Sequence, residues 1–279
     1  MSAPDRYAVF GHPVAHSLSP RIHAAFAAQT GQKLTYTAIE APLDDFAGTL
    51  RAFVAGGGRG ANVTLPFKAQ ALALAHHAHG AAAQAGAANT LRVEADGTLG
   101  AFNTDGAGLL RDLTHNLRFA LRGARVLVVG AGGAAAGVLG PLVQAGPGSV
   151  RVINRTPARA AQLAARFGVA GAGLDGAAGE YDLVLNASAA GHAAQAVDLP
   201  GVRLASGALA YDLSYGAAAR PFLAWAGAQG VARVSDGLGM LVEQAALAFA
   251  LWRGVAPDSA PVLLALRRPG TADAADKKP

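Results

Sequence analysis

The sequence predicts an α/β protein of two domains. Short apolar runs alternate with longer helical patterns along the chain, which is typical of folds built on mostly parallel strands. The length of 279 residues suits one large domain or two ordinary ones. A glycine-rich turn of the kind that opens a nucleotide-binding unit begins at Gly130, well inside the chain. A first domain of about 105 residues must therefore precede it.

In the first half, strands are predicted at 7–10, 34–38 and 60–63, and helices begin near Pro20, Leu43, Pro66 and Asp105. Residues 89–103 predict a hairpin, because Asp96-Gly97 supports a tight turn between two short apolar runs. The second half predicts strands at 125–130, 149–153, 183–185 and 209–213, with helices beginning near Gly133, Pro157, Ala218 and Leu238. Residues 269–279 lack apolar periodicity and predict a disordered tail.

Composition excludes several classes of protein. Apolar residues make up 52% of the chain, enough for a sizeable core. There is no cysteine, which excludes disulfides, a thiolate nucleophile and thiolate-bound metals. The polar N-terminus lacks the apolar core of a signal peptide, and with the absence of cysteine it favours a cytoplasmic protein.

Charge and hydropathy argue against nucleic-acid and membrane partners. The net charge is +5, but the basic residues do not gather into runs that would mark a nucleic-acid patch. Residues 126–145 are almost continuously apolar, close to the roughly 20 residues of a membrane helix. Glycines divide this stretch into a short strand and a following helix, so we predict no membrane span.

The most specific local motif is the turn that follows the apolar run 126–129. It contains Gly130, Ala131, Gly132, Gly133 and Ala134, small residues that let backbone amides approach a pyrophosphate at a helix N-terminus. About 20 residues further on, NAD-binding sites usually present an acidic residue to the ribose.

At that second position the chain has no carboxylate. The segment contains Asn154, Arg155, Thr156 and Arg159 instead. Two guanidinium groups suit a 2′-phosphate, because arginine forms bidentate, charge-assisted hydrogen bonds with phosphate oxygens. We therefore predict NADP(H) rather than NAD; a solvated basic helix start is the alternative.

Two polar helix starts in the first half are candidate substrate-binding segments. Ser17 and Ser19 precede Pro20, so Ser19 is the expected N-cap, and two hydroxyls beside a positive helix end would hold a small carboxylate. Pro66 places Lys68 in the first turn of another helix, where it is a candidate proton donor with Asp105 as its candidate partner.

Three histidines are a possible metal site that we do not favour. His76, His77 and His79 fall on a predicted helix, where the pair three residues apart could bind a metal ion. Zinc sites generally need a third protein ligand, and nothing nearby in the sequence supplies one. We expect a polar helix face and no metal.

Taken in register, the motifs resemble the shikimate dehydrogenase family of NADP-dependent enzymes, which reduce 3-dehydroshikimate to shikimate on the route to chorismate and the aromatic amino acids. The resemblance spans nearly the whole chain. It is carried by SLSP with Ser17 and Ser19, NVTLPFK ending at Lys68, GAANTL with Asn89, NTDG with Asp105, the GAGGA turn, NRT, NASAAG, YDLSYG, and DGLGMLVEQAA with Gln244.

The resemblance implies a substrate domain over 1–105, completed by 239–268, and a Rossmann-type, doubly wound NADP-binding domain over 106–238. It implies that Lys68 is the acid/base group and that Asp105 orients both Lys68 and the reacting hydroxyl. The substrate would be held by Ser17, Ser19, Thr64, Lys68, Asn89, Asp105, Tyr215 and Gln244. Leu213 and Gly237 would contact the nicotinamide end of the cofactor.

Some positions depart from the family pattern or have simpler explanations. His12 stands where asparagine is common and is interpreted as structural, and Gly80 stands where an acidic residue is frequent. From the residues alone, Tyr215 could be a buried aromatic and Gln244 a polar position on an apolar helix.

Two alternative functions stay open at this point. One is a broader quinate/shikimate dehydrogenase that accepts NAD, and the other is a non-catalytic NADP-binding regulatory module. Retention of both Lys68 and Asp105 speaks against the second. The oligomeric state also stays open, with a homodimer among the options.

Overall fold

The computed structural model describes residues 3–188, 198–231 and 233–268. The predicted tail, 269–279, and the end of the NASAAG motif lie outside these residues. In the described part, the strands are β1 (Asp5–Gly11), β2 (Leu34–Glu40), β3 (Gly58–Val63), β4 (His77–Ala78), β5 (Thr90–Val93), β6 (Leu99–Phe102), β7 (Arg125–Val129), β8 (Ser149–Ile153), β9 (Ala170–Ala172), β10 (Gly179–Asn186), β11 (Val202–Asp212) and β12 (Arg233–Ser235).

The helices connect these strands, mostly one helix to each crossover. They are α1 (Ser19–Thr30), α2 (Phe46–Ala55), α3 (Lys68–Leu74), α4 (Gly80–Ala85), α5 (Asp105–Arg111), α6 (Gly133–Gln144), α7 (Pro157–Phe167), α8 (Arg220–Ala228), α9 (Leu238–Arg253) and α10 (Ser259–Arg267). A π-helical turn, Asp112–Asn116, follows α5.

The chain forms two compact units, which divide after Gly108 and again after Met240. The sequence-based boundaries, after residues 105 and 238, lie slightly earlier. The fold class predicted from the sequence, α/β with two domains, is confirmed.

The first unit contains a mixed sheet of order β2-β1-β3-β5-β6-β4. β1 pairs in parallel with β2 and β3, whereas β5 runs antiparallel to both β3 and β6. β5 and β6 are the two arms of the hairpin predicted around Asp96-Gly97. The loops after β1 and β3 leave the sheet at the same edge, because parallel strands end on the same side.

The second unit contains a parallel sheet of order β12-β11-β10-β7-β8-β9. This order is the doubly wound topology predicted from the sequence, in which the strand order reverses between β7 and β10. Its strands are nearly continuous apolar runs, as expected for a sheet covered on both faces. Val126, Val128 and Leu183 are fully buried in this core.

The stretch 126–145 divides as predicted into β7 and α6. Within the ranges that the structure describes, no helix combines the length and the apolarity needed to cross a membrane.

The prediction that His76, His77 and His79 lie on a helix is wrong. His77 lies in the short strand β4, which pairs in parallel with β6, and His79 precedes α4 in extended conformation. His76 accepts a hydrogen bond from the Leu99 amide at 3.0 Å. Pairing with β6 therefore determines the conformation of this segment. Among the described residues, no three His, Cys, Asp or Glu side chains are grouped as metal ligands.

An aromatic cluster in the first unit encloses one histidine. His23 on α1 is fully buried and stacks on Tyr36 with ring centroids 4.1 Å apart, and Trp252 and Phe249 of α9 complete the surroundings. Burial lowers the pKa of His23 to about 3, because the apolar surroundings disfavour its charged form.

His23 should make stability depend on pH. Its folded pKa lies below its unfolded value, so its contribution is complete above about pH 6.5 and is lost as pH falls toward 3. Between pH 7.5 and pH 5 wild type should lose about 2 kcal/mol more unfolding free energy than His23→Phe, which cannot be protonated. Urea denaturation at both pH values measures this difference, with His16→Gln at an exposed position as control. Equal pH dependence in wild type and His23→Phe would show that His23 is not the titrating group.

Candidate active site

Lys68 and Asp105 form a largely buried ion pair. Lys68 is the first residue of α3 and Asp105 the first residue of α5. Lys68 Nζ donates to Asp105 Oδ2 at 2.6 Å, with side-chain exposures of 15% and 8%. An ammonium group held this way is oriented and still partly accessible, as a proton donor to a bound carbonyl oxygen must be.

Asn89 holds the second oxygen of Asp105. Its Nδ2 donates to Asp105 Oδ1 at 2.8 Å, and its Oδ1 accepts from the Thr104 amide at 2.8 Å. Asn89 Nδ2 also lies 3.1 Å from Gln244 Oε1. Asp105 is therefore fixed from two sides, by Lys68 through one oxygen and by Asn89 through the other.

Replacing Asn89 with alanine should impair both stability and turnover. The change leaves buried partners of the amide unpaired, each costing about 1–3 kcal/mol, and frees Asp105 to rotate away from Lys68. Chemical denaturation and steady-state kinetics on the folded variant would measure the two effects. Gln29→Ala is the matched control, since Gln29 is an exposed amide of α1 with two hydrogen bonds to Asp258. Wild-type kcat in Asn89→Ala would contradict a positioning role for Asn89.

Ser17, Ser19 and Thr64 follow the ends of β1 and β3. The Thr64 amide donates to the Phe10 carbonyl at 2.8 Å, which ties the two strand ends together. The expected N-cap at Ser19 is wrong: α1 begins at Ser19, and the preceding Leu18 has helical backbone angles and no capping side chain. Ser17 Oγ instead accepts from the Ser19 amide at 3.2 Å.

Gln244 lies in the same compact unit as these residues and Tyr215 in the other. Gln244 is on α9, 7% exposed, and its Nε2 donates to the Leu241 carbonyl at 2.8 Å. Tyr215 is half-buried after β11. His12 Nδ1 lies 3.0 Å from the Ala41 carbonyl oxygen, a contact within the fold.

The glycine-rich turn joins β7 to α6 in the second unit. Gly130 has φ of 111°, in the left-handed region that favours glycine, and its amide donates to the Ile153 carbonyl at 2.7 Å. Gly132 and Gly133 are exposed at the start of α6, and a Cβ on either would meet no atom within 4 Å. Ala131 and Ala134 are half-buried on either side of them. The open backbone at this helix start fits an approaching diphosphate.

The polar segment after β8 is also exposed. Asn154 Nδ2 donates to the Thr156 carbonyl at 3.1 Å, which folds the loop ahead of α7. Arg155 and Arg159 both face solvent, and the chain has no Asp or Glu between 154 and 167. Two solvent-facing guanidinium groups after β8, the strand that pairs with β7, fit the chemistry of a 2′-phosphate.

Leu213 and Gly237 lie side by side after β11 and β12. The Leu213 amide donates to the Asn186 carbonyl at 2.9 Å, and the Gly237 amide donates to the Ser214 carbonyl at 2.8 Å. The sequence did not point to a buried pair at the ends of β10 and β11, in which Asn186 Nδ2 donates to Asp212 Oδ2 at 2.7 Å. The available signal was a polar residue at the last position of each apolar strand.

Three family models match successive parts of the chain. They describe a shikimate dehydrogenase substrate binding domain at residues 9–91, shikimate / quinate 5-dehydrogenase at 112–196, and a shikimate 5′-dehydrogenase C-terminal domain at 237–267.

Individual relatives match along nearly the full length. Shikimate dehydrogenase (NADP(+)) of Thioalkalivibrio sulfidiphilus is 52% identical over 268 residues, covering 94% of this chain and 98% of the relative. The protein of the same name from Paracidovorax citrulli is 54% identical over 275 residues, with 95% and 98% covered. Among solved structures, shikimate 5-dehydrogenase (AroE) from Thermus thermophilus in complex with NADP(H) and shikimate is 37% identical, with a TM-score of 0.82 and 97% and 99% covered. The chain belongs to the shikimate dehydrogenase family.

Proposed function

We propose that the chain catalyses the reversible, NADP-dependent reduction of 3-dehydroshikimate to shikimate. The observation that carries the proposal is the Lys68–Asp105 pair at 2.6 Å, largely buried and fixed by Asn89. The identities of the substrate and the cofactor come from the relatives, which are named shikimate dehydrogenase (NADP(+)). In this proposal Met1–Gly108 and the segment from Leu241 onward supply the substrate-binding residues other than Tyr215, and Leu109–Met240 supplies Tyr215 and holds the cofactor.

The substrate needs many neutral hydrogen-bond partners around its ring and a site for its carboxylate. In this proposal the hydroxyls of Ser17 and Ser19 bind the carboxylate, and the other polar groups bind the ring hydroxyls. The groups that bind the ring hydroxyls belong to Thr64, Asn89, Tyr215 and Gln244.

Lys68 Nζ is the proton donor in the proposed reaction. When bound, NADPH supplies the hydride. As negative charge develops on the C3 oxygen, Lys68 donates a proton to it, and Asp105 keeps the ammonium group directed at that oxygen while accepting from the new hydroxyl. In the reverse direction Lys68 accepts the proton.

The cofactor assignment rests on the exposed glycines at the start of α6 and on two solvent-facing arginines. The turn from Gly130 to Ala134 binds the diphosphate, and Arg155 and Arg159 bind the 2′-phosphate, with Asn154 and Thr156 shaping the loop between them. Leu213 and Gly237 contact the nicotinamide. For this reaction we propose a cytoplasmic location.

A four-way assay tests the proposal. Purified protein is incubated with shikimate or quinate and with NADP or NAD, and formation of reduced nicotinamide is followed by absorbance. Turnover with shikimate and NADP supports it. Efficient turnover of quinate with NAD would show a broader dehydrogenase, and no turnover in any combination would show a binding module.

A further inference from the structure

A buried tyrosine and a buried aspartate lie outside the residues assigned so far. Tyr211 is on β11 and Asp112 is in the π-helical turn after α5; their exposures are 0% and 1%. The Tyr211 hydroxyl donates to Asp112 Oδ2 at 2.7 Å. Burial and the neighbouring Asp112 charge raise the pKa of Tyr211, so the phenol stays protonated and acts as donor.

Both side chains contact the first turn of α9. The Met240 amide donates to the Tyr211 hydroxyl at 3.3 Å. A Cβ on Gly239 would collide with the Asp112 carboxylate, so the carboxylate lies directly against the helix backbone. A negative charge at this position is favoured, because the first amides of a helix have no carbonyl partner within the helix and carry partial positive charge.

The residues just before this turn lie at the carboxyl ends of two neighbouring strands of the parallel sheet. A Cβ on Gly237 would collide with the Leu213 carbonyl, so the two segments are in direct backbone contact. Gly237 follows β12, and Leu213 follows β11. In a doubly wound sheet the carboxyl ends of the second half of the strands hold the second mononucleotide of a dinucleotide, here the nicotinamide half.

We propose that Tyr211 and Asp112 are positioning residues, which anchor the start of α9 and thereby fix Gly237 and Leu213 for binding the nicotinamide half of NADP(H). They act through the backbone of 237–240 and do not touch the cofactor themselves. This inference rests on the proposed cofactor.

The test compares a ligand that has the nicotinamide with one that lacks it. Tyr211→Phe should weaken NADPH binding roughly tenfold, the effect of losing a hydrogen bond to a charged group. Binding of 2′-phospho-ADP-ribose, which lacks nicotinamide, should stay within about twofold of wild type, because the proposed effect reaches only the nicotinamide half of the cofactor. Calorimetric titration of both ligands measures this without turnover. Asp112→Asn, which keeps the side-chain volume, should show the same selective loss.

Tyr181→Phe is the matched control. Tyr181 is in the same unit and 6% exposed, and its hydroxyl donates to the Ala177 carbonyl at 3.0 Å near the opposite end of β10. This variant should bind both ligands as wild type does. If Tyr211→Phe weakened the binding of both ligands equally, the variant would be generally unfolded. If NADPH binding were unchanged in both Tyr211→Phe and Asp112→Asn, these residues would have no positioning role. Either result overturns the proposal.

The proposed function can fail separately from this inference. Wild type that binds NADPH but does not oxidise shikimate would refute the activity and leave the binding comparison intact. Wild type that does not bind NADPH would overturn both.

Discussion

Replacing Lys68 with alanine is expected to lower kcat by about 10²- to 10⁴-fold with little change in KM for shikimate. The variant lacks the ammonium group that donates to Asp105 at 2.6 Å and, in the proposed reaction, protonates the C3 oxygen. Most of the substrate's hydrogen-bond partners remain, so ground-state binding changes far less than the transition state. Steady-state kinetics in both directions would measure the split.

Lys33→Ala is the control for this experiment, because Lys33 is an exposed lysine of the same unit and is not part of the proposed site. It should retain wild-type kcat. Turnover of Lys68→Ala within a few-fold of wild type would show that another group donates the proton.

Replacing both Arg155 and Arg159 with alanine is expected to raise KM for NADP by about 10- to 100-fold and to leave KM for NAD nearly unchanged. The two guanidinium groups are solvent-facing and have no neighbouring carboxylate in the sequence, so a 2′-phosphate is the anion they suit. NAD lacks that phosphate and loses nothing. Initial rates with each cofactor at saturating shikimate would test this.

Arg166→Ala provides the matched control, since Arg166 is an exposed arginine in the last turn of the same helix, α7. It should not change the KM for either cofactor. A similar rise in KM for NAD and NADP in the double variant would mean that the arginines maintain the loop and do not read the phosphate.

Local sequence signals predicted the features that depend on neighbouring residues. The apolar run 126–129 followed by Gly130 predicted a strand, a turn and a helix, because glycine at φ of 111° is readily accommodated where other residues are strained. Asp96-Gly97 predicted the β5–β6 hairpin for a similar reason. The residues alone named Lys68 and Asp105 as candidate partners, but only the fold brings them to 2.6 Å.

Local signals failed where distant partners determine the conformation. His77 was predicted on a helix, yet it forms β4 because β6 offers a strand edge with which to pair. The helical backbone at Leu18 moves the start of α1 onto Ser19 and removes the cap expected there.

The sequence by itself determined that this is a two-domain α/β protein with a dinucleotide turn, a basic segment in place of the usual carboxylate, and one set of polar residues in a chain otherwise rich in apolar and small ones. Only the tertiary structure decided which polar residues meet. Asn89 and Gln244 are 155 positions apart, and Asp112 and Tyr211 are 99 apart. Such pairs carry no local periodicity. They form because a buried polar group must find a partner once packing has removed water from it, and the fold decides which partner is within reach.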